Sequence, residues 1–92
     1  MKVSDVVISK KGKYDGKLFF VVEVKDGFAF LCDGKLRKTK NPKKKNIIHL
    51  EEVGFSSEAV REKLENGSNT ADALMRAELK RLKVMLKSKV SD

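Results

Sequence analysis

Seven cations stand within eleven residues: Lys35, Arg37, Lys38, Lys40, Lys43, Lys44 and Lys45, with no acidic residue interleaved from Lys35 to Lys45. Charge at this density repels itself. A chain of phosphates offsets that repulsion better than isolated carboxylates do, and the counterions it releases drive association. The alternative is a solvated surface loop that keeps the protein in solution. A second basic segment, Lys10, Lys11, Lys13 and Lys17, surrounds Tyr14. An aromatic ring amid lysines either stacks on an unpaired base, worth about 1–3 kcal/mol in single-strand binders, or caps a β-structure with its ring half buried. Arg37 is the sole arginine ahead of Gly54. Its planar fork can hold a phosphate with two bonds, read a guanine edge, or pair with a neighbouring acid.

The same inventory speaks against catalysis. The chain has one histidine, His49, and one cysteine, Cys32, too few for a zinc quartet. A single cysteine also excludes an internal disulfide, and within a strand it behaves as a small hydrophobe. His49 alternates away from Ile48 and Leu50, either towards a bound nucleic acid or into a hydrogen bond at a strand edge. No nucleophile, base and orienting group stand at a recognisable spacing. The expectation is a protein with no enzymatic activity, no catalytic residues, no metal and no cofactor.

Size and charge agree. A chain of 92 residues buries one modest core, which leaves little room for a deep cleft or a small-molecule substrate. The formal net charge of +8 suits nucleic acid, an acidic partner or an anionic membrane, and does not choose among them. Met1-Lys2-Val3-Ser4-Asp5 lacks the apolar run of a signal peptide. No stretch approaches the roughly 20 apolar residues that span a bilayer. A soluble, cytoplasmic protein without membrane contact is expected.

These side chains need a scaffold, and the hydrophobic period changes near Gly54. Before it, Val6-Val7-Ile8 and Leu18 to Val24 read as strands, the latter with Phe20, Val22 and Val24 on one face and Phe19 and Val21 on the other. Asp26-Gly27 supplies a tight hairpin turn into Phe28 to Cys32. A second such dipeptide, Asp33-Gly34, leads into Leu36 to Thr39. Ile47 to Val53 reads as a closing strand with Ile48 and Leu50 inward. Pro42 sets the lysine run in an ordered or semi-extended loop. Phe19, Phe20, Phe28 and Phe30 are expected in the core. Beyond Gly54, Ser56 is a candidate N-cap with Phe55 stapled on Val60, and Gly67 is placed to end that helix. Asn69 or Thr70 caps a second helix reaching about Lys87. Ala71, Met75, Leu79, Leu82 and Leu86 form its apolar stripe, with Arg76, Lys80, Lys83 and Lys87 as a basic stripe beside it. The apolar stripe packs on the strands or the first helix, or forms a seam with a partner; the basic stripe extends a nucleic-acid footprint or faces solvent.

Val6 to Val24 resembles a KOW motif: a strand, the loop Ser9-Lys10-Lys11-Gly12-Lys13-Tyr14-Asp15-Gly16, and a second strand. Gly16 matches the motif's glycine, and Val6, Val7, Val21 and Val22 match its aliphatic positions. Asp33-Gly34-Lys35-Leu36-Arg37-Lys38, Asn41-Pro42-Lys43-Lys44-Lys45 and Ile48-His49-Leu50 extend the likeness to small bacterial KOW-domain proteins related to large-subunit ribosomal proteins. It covers about Val3 to Val53. The resemblance implies an α+β chain: an SH3-like barrel of about five short strands over residues 1–54, with a helical segment, 55–92, on or beside it. It implies that the basic loop faces RNA, with ribosomal RNA as the expected partner and ribosomal proteins as possible neighbours. The competing expectation is a protein-interaction adaptor that uses the barrel and the apolar stripe of the second helix.

Overall fold

Period-two runs of β-branched and aromatic residues bury one side chain in two on each face of a sheet, and the computed structural model pairs them accordingly. It describes the backbone of residues 1–67 and 70–90, with side chains through Lys87. Strands β1 (Asp5–Ser9), β2 (Leu18–Lys25), β3 (Phe28–Cys32), β4 (Lys43–Asn46) and β5 (Leu50–Ser56) precede helices α1 (Glu58–Glu65) and α2 (Ala71–Val90). The sheet is antiparallel throughout, in the order β4-β3-β2-β1-β5. The fold is α+β. Asp26 and Gly27, both at positive φ, make the expected β2–β3 hairpin turn.

The sheet does not close into a barrel. β4 and β5 are its two edges, and no ladder joins them. The expected closing strand from Ile47 is interrupted, because Ile47–His49 form a 3-10 turn. The Asn46 side chain stabilises that turn by accepting from the Ile48 amide at 3.1 Å, and the Ile47 amide donates to the Gly27 carbonyl at 3.1 Å. Ile48, expected inward, is therefore 78% exposed, whereas Leu50 packs on the core. Register shifts between Asp5 and Val7 and between Val21 and Glu23 add the local bends that bulges produce.

Both sheet faces are buried. On one, Val6, Leu18, Phe20 and Cys32 pack with Val60 of α1 and Met75, Leu79 and Leu82 of α2. The apolar stripe of α2 thus covers the sheet and α1 together. On the other, Val7, Phe19, Val21, Ala29 and Leu31 enclose Tyr14, with Met1, Ile47 and Leu50 at the margin. Phe28 and Phe30 depart from expectation: they are half-buried and join neither cluster. They share the helix-side face with Lys44 but lie beyond the helices' cover, and the Lys44 ammonium sits 4.5 Å from the Phe28 ring centre.

Two local expectations shift. Ser57, not Ser56, caps α1, its hydroxyl accepting from the Val60 amide at 3.2 Å and donating to Glu78 at 3.1 Å. Phe55 still packs in the cluster that holds Val60, and Gly67 follows the helix at positive φ. The Thr70 carbonyl accepts from Leu74 at the start of α2; Asn69 lies outside the described residues. Among those residues no helix is long and apolar enough to cross a membrane.

Candidate nucleic-acid interface

An antiparallel meander alternates the ends of its strands. β1, β2 and β3 therefore bring three strand ends and two connections to one end of the sheet, where Ile8 pairs with Leu18 and Cys32 leads out. The loop 10–17 and the loop 33–42 both emerge there, and β4 starts there with Lys43 opposite Leu31. The topology gathers residues that the sequence spreads from Lys10 to Lys43.

The first loop is short and closed. The Ser9 amide donates to the Lys17 carbonyl at 3.0 Å and the Gly16 amide to the Ser9 carbonyl at 2.7 Å. Gly16 holds φ at 84°, with nothing within 4 Å of where a Cβ would stand, so the requirement is conformational rather than spatial. The closure folds Tyr14 back under the loop. Its ring is 9% exposed and meets Phe19 edge-on at 5.5 Å. Of the two expectations for Tyr14, the structure shows the capping one, with the ring turned onto the core rather than out towards a base.

Tyr14 acts instead as a hub. The Arg37 guanidinium lies 5.8 Å from its ring centre and the Lys13 ammonium 5.7 Å. A hydrogen bond from Arg37 is the largest cause holding the phenol below its ordinary pKa; burial opposes it, and the charges of Arg37, Lys13 and Lys43 add to the lowering. Lys45 reaches across to donate to the Lys11 carbonyl. Lys13, Arg37, Lys43 and Lys45, from two loops and one strand, thus converge on one face, and Lys11 is exposed next to Lys45. Among the described residues none of the five forms an ion pair with a carboxylate. Asp33, the acid nearest Arg37 in sequence, is occupied: one oxygen accepts the amides of Lys35 and Arg37, each at 2.9 Å.

The lysine run is a strand, not a loop. β4 pairs Lys43, Lys44 and Lys45 with Leu31, Phe30 and Ala29, so alternation sends Lys43 and Lys45 to the Tyr14 side and Lys44 to the opposite face. Conversely, Leu36 to Thr39 is loop rather than strand. Lys10 leaves the cluster as well, paired with Glu51 at 3.3 Å. Lys38 and Lys40 turn towards α1, lining a cleft with Lys63 and Asp72. Lys35 lies beside α2, and Lys17 is exposed at the start of β2. The His49 carbonyl accepts from the Lys10 amide at 2.9 Å, tying the 3-10 turn to the first loop.

Three residues outside the expected set fix the second loop. Asp72 accepts from the Thr39 amide and hydroxyl, and Arg76 donates to the Gly34 carbonyl. Gly34 is buried at φ 79°, where a Cβ would lie 2.0 Å from the Asp72 carbonyl oxygen. No local pattern announces these contacts, which span 33 to 42 residues. Cys32, beneath the same loop, is fully buried. Burial first, then the charges of Asp72 and Asp33, push its thiol up to about 12; it is packing material. No protein-family model matches the chain and no curated protein matches it.

Proposed function

We propose that the chain is a non-catalytic RNA-binding module of the KOW kind, acting in the cytoplasm on structured RNA. Ribosomal RNA or an assembling ribosome is the partner that its sequence likeness suggests. One observation carries the reading: five cations from three chain segments stand at or beside the Tyr14 face without a carboxylate partner. Their mutual repulsion is relieved when a polyanion docks. The strand order β4-β3-β2-β1-β5, with a 3-10 turn between the edge strands, is consistent with an SH3-like sheet left open at one seam. Lysines grip phosphates and fix register, while the rigid loops set which RNA shape fits.

The test is a binding titration against a structured RNA over a series of salt concentrations. Engagement of five phosphates gives a log–log slope of about −3.5 to −4.5, from roughly −0.7 to −0.9 per phosphate. A flat salt response overturns the reading. So does unchanged affinity in a folded Lys43→Glu/Lys45→Glu variant.

A further inference from the structure

A second basic surface lies on the other side of the loop 33–42. Lys35 from that loop and Arg76, Lys80 and Lys83 from α2 rim a groove of about 310 Å³ whose floor includes Leu18 and Leu79. The volume sits at the lower bound of the roughly 300–1,000 Å³ typical of small-ligand clefts. Lys35, Lys80 and Lys83 are exposed, and among the described residues none of them forms an ion pair. One carboxylate, Asp33, lines the groove among these four cations, and Glu78 stands outside it. Asp33 accepts two backbone amides, and Glu78 holds Ser57 and Arg81.

We infer that this groove takes an unpaired nucleotide of a single-stranded RNA segment, its base on the Leu18–Leu79 floor and its flanking phosphates on Lys35, Lys80 and Lys83. The inference rests on the RNA-binding reading above and adds a second, single-strand contact to it. Charge complementarity selects the occupant. At about 1.5 Å of rise per residue, Arg76 to Lys83 extends the positive rim over about 10 Å, a length suited to a chain of charges rather than one isolated anion. The apolar floor suits the flat face of a base, which a duplex would keep stacked inside. Arg76 serves a positioning role, because its guanidinium is bound to the Gly34 carbonyl and sets the loop's distance from the helix.

The experiment compares two RNAs: a hairpin, and the same hairpin with a short single-stranded extension. Each is titrated with wild type, with Lys35→Gln/Lys80→Gln/Lys83→Gln, and with the milder Lys80→Gln/Lys83→Gln; circular dichroism checks that each variant folds. The extension is expected to tighten wild-type binding on the order of tenfold. The triple variant is expected to lose that gain, keep hairpin affinity, and show a salt slope shallower by about 2 for the extended RNA. An abasic extension should recover only part of the gain. If wild type binds neither RNA, the functional reading itself fails. If it binds both equally, or the variants keep the full gain, the groove assignment fails alone. Equal competition at the groove by a poly-glutamate peptide of matched charge also overturns the assignment to RNA.

Discussion

Asp72 holds Thr39 with both carboxylate oxygens, accepting the backbone amide at 2.9 Å and the hydroxyl at 3.3 Å across 33 residues of sequence. The first turn of α2 thereby fixes the loop that carries Arg37. The helix thus helps to position Arg37 although it supplies none of the cations on the Tyr14 side.

Asp72→Ala removes two part-buried hydrogen bonds and is expected to cost about 1–3 kcal/mol, read by urea denaturation. Amide exchange at Thr39 should quicken by more than the loss of global stability explains. Unchanged protection at Thr39 would show that the clamp does not hold the loop.

A glycine pair separates conformational strain from steric exclusion. Gly16→Ala incurs the strain of positive φ alone, about 1–2 kcal/mol. Gly34→Ala incurs the same strain and in addition drives a methyl into the Asp72 carbonyl. The second variant should be the less stable by a clear margin in the same denaturant series. Equal losses would mean the close approach of loop and helix is soft.

Tyr14 is the sole tyrosine and the chain has no tryptophan, so phenolate absorbance reports one group. Its titration midpoint should fall below 10 and move back up in Arg37→Gln, because the Arg37 hydrogen bond is the largest cause of the shift. A depressed midpoint means the folded state sheds the proton first. This contribution to stability is fully present above pH 10 and is lost as pH falls through the lowered midpoint. A wild-type midpoint at or above 10 would remove Arg37 from the hub.

Alternation along β4 predicts unlike roles for adjacent lysines. Lys43→Glu should weaken RNA binding severalfold or more. Lys44→Glu should leave affinity much closer to wild type while giving up the contact with Phe28, about 0.5–1 kcal/mol of stability at an exposed site. Equal losses of affinity would place both residues on the binding face.

Cys32 offers an independent check on packing. With its thiol raised to about 12 by burial, native protein should resist a thiol reagent at mildly alkaline pH and react fully in denaturant. Above pH 9 the unfolded thiol ionises first, so this group draws stability down as pH climbs from there. Fast reaction of native protein would mean the loop 33–42 opens readily.

Much of this scaffold was legible from residue order. β1 to β3, the Asp26-Gly27 turn and the apolar stripe of α2 follow from hydrophobic period and turn chemistry, which are local properties. β4 was hidden, because Lys43-Lys44-Lys45-Asn46 has weak strand propensity and is extended only through pairing with β3. Leu36 to Thr39 misled for the opposite reason: a strand-like run is held as loop by Asp33 next to it and Asp72 far away. The charge inventory could be read directly; its grouping could not. Whether Lys10 meets Glu51, or Tyr14 turns inward onto Phe19, is decided by tertiary partners. Once β4 is known to be a strand, the opposite facing of Lys44 follows from period alone.

The open seam gives those edge lysines a second consequence. An unpaired strand is a template on which another chain can add, and natural sheets guard such borders with lysine. β4 presents the same positive row on every copy, so neighbouring molecules repel where they would otherwise join edge to edge.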